Sequence, residues 1–182
     1  MAAKTIRVPL TEAGIDKAIR EVRQYKQKLL RDCKTLVERL TEKGVEIARV
    51  QIASMDNCSS LGWLSDSLDR ALVSTDTGYI GYVRVNSSLG MFIEFGTGIK
   101  GAGHPHPLFA EFGWIYDSNG HGMDGWWYPT DEADPNPKKR YSEESGWYGW
   151  TRGMPSRPFL YNTSQTLKDE LVQTAREVFG GD

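Results

Sequence analysis

Three histidines and a scatter of carboxylates are the groups in this 182-residue chain best able to do chemistry. His104 and His106 stand two apart, a spacing that would aim both imidazoles to one side of a strand, and His121, Asp124, Asp131, Glu132 and Asp134 follow downstream. Imidazoles and carboxylates in that number could hold zinc, and a zinc-bound water would make a metal-dependent hydrolase. The local sequence argues the other way. Pro105 between the first two histidines and Pro107 after them impose an extended loop, and no HExxH or cysteine-rich set accompanies them. Hydrogen-bonded loop histidines and a solvated acidic tip are the favoured reading.

Gly96-Thr97-Gly98, with Gly101 and Gly103 beyond, matches neither GxGxxG nor a P-loop ending in Lys-Ser/Thr, so it reads as the exit from a strand rather than a phosphate cradle. Cys33 and Cys58 are two thiols without CxxC spacing or matching histidines, and no Ser-His-Asp set has a supporting context. No catalytic residue, metal or cofactor is therefore expected. A net charge of −2 argues against broad coating of phosphates, leaving any DNA contact weak or local. No run approaches the ~20 apolar residues of a membrane span, and Met1–Ile6 lacks the apolar block of a secretory signal, so a cytoplasmic site of synthesis without membrane contact is expected.

The positioning elements follow from periodicity. After an extended Thr5–Pro9, Thr11 can cap a helix whose apolar residues Ile15, Ile19, Val22, Leu29, Cys33, Leu36, Leu40 and Ile47 fall three, four or seven apart. One long helix over 12–53 is expected, or two if the polar Gln24–Lys28 breaks it. Lys26, Lys28, Arg31 and Lys34, then Glu38, Glu42 and Glu46, read as a solvated face, with a subunit- or DNA-facing surface as the alternative. Residues 54–67 favour turns, although Leu61, Trp63 and Leu64 can pin them to a core. Leu68–Thr75, Tyr79–Asn86 and Met91–Phe95 read as an antiparallel meander. On that register Val83, Val85, Met91, Ile93 and Phe95 share the core face, and Tyr82, Arg84, Phe92 and Glu94 share a face suited either to subunit contact or to solvent. Leu160, Leu167, Leu171, Val172, Ala175 and Val178 mark a C-terminal helix ending before Gly180. Phe95 and Phe159 should anchor the core. The sum is an α+β fold: a long N-terminal helix and a C-terminal helix packed on a small antiparallel sheet.

Between 113 and 151 lie five of the six tryptophans, beside Tyr116, Tyr128, Tyr141 and Tyr148. The patches Trp126-Trp127-Tyr128 and Trp147-Tyr148-Gly149-Trp150 flank a polar centre at 131–140, which suggests a long hairpin arm inserted into a single domain spanning 1–182. Trp and Tyr bury large rigid areas while keeping a polar handle, so Tyr82, Phe92, Trp114, Trp126, Trp127, Tyr128, Trp147, Tyr148 and Trp150 are the candidate protein-contact residues. A self-contained aromatic minicore and a stacking platform for sugars or bases are the competing readings.

Phe92-Ile-Glu-Phe-Gly-Thr-Gly98, Pro105-His-Pro107 with the preceding His104, Gly113–Gly122 and Arg157-Pro-Phe-Leu-Tyr-Asn-Thr163 together resemble the head–tail joining, or tail-completion, neck proteins of lambdoid phages, the gene-ten-like type found also in phages of Gram-positive hosts. The resemblance covers about Tyr79 to the C-terminus. It implies a structural assembly protein rather than an enzyme, one that joins the head connector to the tail as part of a ring around the DNA channel. It implies neighbouring connector and tail proteins and further copies of this chain as partners, and DNA passing without sequence-specific binding. The virion neck, assembled in the host cytoplasm, is the implied location, and a tail-terminator position at the end of the tail tube is the close alternative. A glycan-binding tail module is a third reading.

Overall fold

The fold, a computed structural model, describes residues 8–55 and 61–180; the expected extended start at Thr5–Arg7 and Cys58 lie outside these. It is α+β, as the periodicity predicts, and its residues group into two compact units.

The first unit draws on Met1–Val50, Leu68–Arg84 and Thr163–Asp182. Helix α1 runs unbroken over Glu12–Ala53. Thr11 Oγ1 accepts the Gly14 amide at 3.2 Å, satisfying one of the donors that a first turn leaves free. Gln24–Lys28 does not interrupt it, because unbranched Gln and Lys are good helix formers. Strands β1 (Leu68–Thr75) and β2 (Gly78–Val85) form a two-stranded sheet, with Thr75 Oγ1 accepting the Gly78 amide across the turn. Along β2, Gly81 and Val83 are half-buried while Ile80, Tyr82 and Arg84 are exposed, so the expected alternation holds on this strand.

Helix and strand meet closely because both carry glycine at the contact. A Cβ at Gly81 would come within 2.7 Å of Val37, and one at Gly44 within 2.7 Å of Val83 and 3.1 Å of Leu167. Leu167 belongs to α5 (Phe159–Phe179), which Lys43 also reaches through Glu170 at 2.9 Å. Thr41 and Thr174 are buried without penalty, since their hydroxyls donate to Val37 and Glu170 carbonyls one turn back. The start of α1 keeps its apolar stripe outside: Ile15, Ile19, Val22 and Leu29 are all exposed.

The second unit draws on Gln51–Ser67 and Val85–Asn162. Its core is Leu64, Ile93, Phe95 and Phe159, with Leu61 beside them. Short helix α2 (Gly62–Asp66) places Leu64 inside and leaves Trp63 exposed. The expected third strand at Met91–Phe95 is instead helix α3, Leu89–Phe95. Gly90, Ile93, Glu94 and Phe95 are the residues it buries, the first three at a three-and-four spacing, and Gly96 at φ 78° ends it by returning its amide to the Phe92 carbonyl. The face assignment built on a strand therefore fails for Met91, which is exposed, and for Glu94, which is buried, whereas Phe92 is exposed as assigned.

Helix α4 (Gly98–Gly103) leads through turns and a 3-10 turn at Gly122–Asp124 to a second sheet. Strands β3 (Trp126–Thr130), β4 (Lys139–Ser142) and β5 (Gly146–Thr151) lie in the order β3-β5-β4. The two aromatic arms do pair, Trp126 opposite Thr151 through Thr130 opposite Trp147. The expected polar tip at 131–140 is mostly a connection, and its end enters a third strand, with Lys139 opposite Gly149 and Ser142 opposite Gly146. Because β3 and β4 both run antiparallel to β5, residues 131–138 carry the chain back along the sheet. The two-residue strand β6 (Gly153–Met154) follows.

Candidate functional site

The resemblance motifs converge on one carboxylate. Glu94, buried in α3, accepts the Leu160 amide at 2.9 Å through Oε2 and the Tyr161 amide at 2.9 Å through Oε1. These are the second and third residues of α5, whose amides have no partner within the helix, and a negative charge there also meets the positive helix end. His106, itself buried, completes the arrangement: its Nδ1 accepts the Leu108 amide at 3.1 Å, so its Nε2 carries the proton that faces Glu94 Oε1 at 3.1 Å. Ser156 Oγ donates to the Glu94 carbonyl at 2.7 Å. The FIEFGTG, PHP and RPFLYNT segments thus hold one another through this Glu-His pair.

Gly96-Thr97-Gly98 is similarly committed. The Gly98 amide donates to the Tyr116 carbonyl at 2.6 Å, the Gly96 carbonyl accepts Trp114 Nε1 at 3.0 Å, and Thr97 and Gly98 bridge Met154 and Gly153. Amides that a phosphate cradle would need are already spent. His104 is exposed, His106 buried, and His121 packs its ring 4.8 Å from Trp126, so the three histidines are differently occupied. Among the described residues no three His, Cys, Asp or Glu gather in a metal-ligating arrangement.

Around this scaffold opens a largely apolar cavity of about 1240 Å³. Phe92, Trp114, Trp126 and Tyr128, all expected contact residues, line it together. Phe92 sits edge-on to Trp114 at 5.8 Å, and Trp114 stacks on Phe95 at 4.9 Å. Trp63, Leu89, Met91, Ile115 and Tyr116 also line it, and sequence reasoning did not propose them. Their signal was present but faint: isolated apolar residues in turn-rich segments, and a Met91 read as strand where α3 forms. Leu89 and Met91 are 56% and 54% exposed, and Ile115 69%. At the rim, Asp117 accepts the Gly122 and His121 amides at 2.7 and 2.8 Å, and these bonds, Gly122 first, hold its carboxyl below the usual range.

The remaining candidates lie elsewhere. By alternation and register, Trp126, Tyr128 and Trp147 share one face of the second sheet, and Trp127, Tyr148 and Trp150 the other. The 131–138 connection engages the first face. Asp134 accepts the Tyr128 phenol at 2.8 Å and the Thr130 hydroxyl, and Asn136 Nδ2 donates to Tyr128 and to the Trp150 carbonyl. The Thr130 hydroxyl above all lowers the Asp134 carboxyl, while burial, then its bond to Asp134, raises the Tyr128 phenol. The second face carries a cation over each tryptophan: Lys138 lies 4.0 Å from the Trp150 ring and Arg140 4.3 Å from Trp127, reaching past Tyr148. In the first unit, Tyr82 is 48% exposed beside Arg84, which is paired with Asp69 at 2.7 Å.

No protein-family profile, curated protein or solved structure matches this chain.

Proposed function

We propose that this chain is a structural protein of a tailed-phage neck, joining the head connector to the tail as part of a ring around the DNA channel. The motif resemblance supplies the neck. The observation that carries the contact role is the aromatic groove, where Leu89, Met91 and Phe92 stand exposed on α3 at the mouth of an apolar cavity. Exposed apolar surface of that extent is costly in water and characteristic of a surface that another protein covers. Its partners on this reading are a connector or tail protein seated in the groove and further copies of the chain around the ring. DNA passes without sequence-specific contact, and among the described residues no helix is long and apolar enough to cross a membrane. The action is binding and sealing, without catalysis or cofactor.

The test is a phage deleted for this gene and supplied with the protein in trans. Leu89→Glu/Met91→Glu should fold normally, since both side chains are more than half exposed, yet leave heads and tails unjoined in electron micrographs. Gold-labelled protein at the tail tip, or normal particles from the double variant, would refute the reading. Label at the tail-tube end of separated tails would select the tail-terminator position.

A further inference from the structure

The second sheet segregates its charge end to end. At one end lie Lys138, Arg140 and Arg152, all exposed, with Lys138 and Arg152 at 4.0 and 5.6 Å from the Trp150 ring and Arg140 over Trp127. At the other, past the pairs Thr130–Trp147 and Ser142–Gly146, lie Asp131, Glu132, Glu143 and Glu144, also exposed, which outnumber the half-buried Lys139, whose ammonium donates to the Glu132 carbonyl there and lies 5.4 Å from the Trp147 ring. Asp124, which precedes β3, stands nearest the basic end by sequence and leaves its balance positive. None of these seven forms an ion pair among the described residues. The strands span roughly 17 Å at ~3.3 Å per residue, about two Debye lengths at physiological salt. The two ends therefore do not neutralise each other.

A polyanion such as DNA laid along this face would meet the four carboxylates as well as the cations, so the arrangement disfavours it. A surface of matching length and reversed polarity fits both ends, and this chain itself carries one. We infer that the basic, aromatic end of the sheet docks on the acidic end of the next copy, head to tail. Trp127, 39% exposed beneath Arg140, supplies the apolar part of the contact. Docking of this heterologous kind repeats, closing into a ring where the rotation allows. The inference rests on the proposed ring in one respect, the head-to-tail repetition.

Two variants test it: Lys138→Glu/Arg152→Glu, acidic at both ends, and Glu143→Lys/Glu144→Lys, whose changes sit in an exposed turn. Sedimentation velocity should show wild-type mass rising with concentration at about 50 mM salt and collapsing to monomer at about 500 mM. Each variant alone should stay monomeric, and an equimolar mixture should form heterodimers, because the intact basic end of the turn variant still fits the intact acidic end of the first. If the first variant misfolds by circular dichroism, the turn variant alone must still abolish association. Wild type that never associates, or a mixture that stays monomeric, overturns the inference. Association that persists in the variants sinks this surface and leaves the ring standing, whereas label away from the neck sinks the neck and leaves the surface standing.

Discussion

Replacing Glu94 by Gln tests whether one buried carboxylate ties the motif segments together. The change keeps size and shape, so it creates no cavity. Glu94 faces three donors, the Leu160 and Tyr161 amides and His106 Nε2. An amide offers one oxygen, so in its better orientation it serves Tyr161 and His106 and turns its NH2 toward the Leu160 amide. One buried donor is then orphaned, at about 1–3 kcal/mol. The charge opposite the α5 N-terminus is also lost, worth about 0.3–1 kcal/mol more and up to ~2 when partly buried. Together these predict a loss of roughly 2–4 kcal/mol. For a chain of this length each kcal/mol moves Tm by about 2–4 °C, so a fall of roughly 4–16 °C is expected. Helical ellipticity at about 222 nm, which α-helices dominate here, reads it, with the exposed Glu111→Gln as control. If Glu94→Gln and Glu111→Gln both melt within about 2 °C of wild type, the carboxylate does not hold α5 and the argument fails.

Two further outcomes follow from the second unit. Asp134, held below its ordinary 3.8 chiefly by the Thr130 hydroxyl, binds its proton at lower pH folded than unfolded, so its contribution is complete above that value and is lost as pH falls through the lower folded one. Tryptophan emission should therefore change on acidification below about pH 4 in wild type and change less in Asp134→Asn; superimposable titrations would remove this role. Gly153 sits at φ 93°, and any Cβ there would collide with the Thr97 carbonyl, so Gly153→Ala should cost at least ~1–3 kcal/mol and open the Thr97–Met154 bridge to amide exchange. An unchanged melt would refute it.

Periodicity carried the long elements. The stripe from Ile15 to Ile47 predicts α1, the runs 68–75 and 79–86 predict the first hairpin within a residue, and Phe95 and Phe159 are as buried as expected. Met91–Phe95 misled because Met-Phe-Ile-Glu-Phe satisfies both a two-residue and a three-to-four-residue period over a run too short to choose between them. The deciding fact, that Glu94 is inside, depends on two amides 66 and 67 residues away, which no local pattern reveals. The glycine that halts α3 was the available clue. Of the nine contact candidates, four meet at the groove because α3 turns Phe92 toward Trp114 and the sheet turns Trp126 and Tyr128 the same way. Trp127, Tyr148 and Trp150 were separated by strand alternation, which could not be read before the register of β5 was known, while Tyr82 belongs to the other sheet and Trp147 shares the face of Trp126 and Tyr128 without lining the groove.

The order β3-β5-β4 also dictates when this sheet can come into being. The middle strand is the last of the three to be synthesised, and β3 and β4 have no backbone partner until it arrives. At about 5–20 residues per second, the ribosome leaves Trp126 and Trp127 without their cross-strand neighbours for roughly 1–5 s before Thr151 follows. During that interval a nascent chain displays unpaired aromatic strand edges, the kind of surface to which chaperones bind and through which neighbouring nascent chains adhere. Ribosome pausing between codons 130 and 146 would prolong the exposure, so the yield of soluble protein should be most sensitive to translation speed in that stretch of the message.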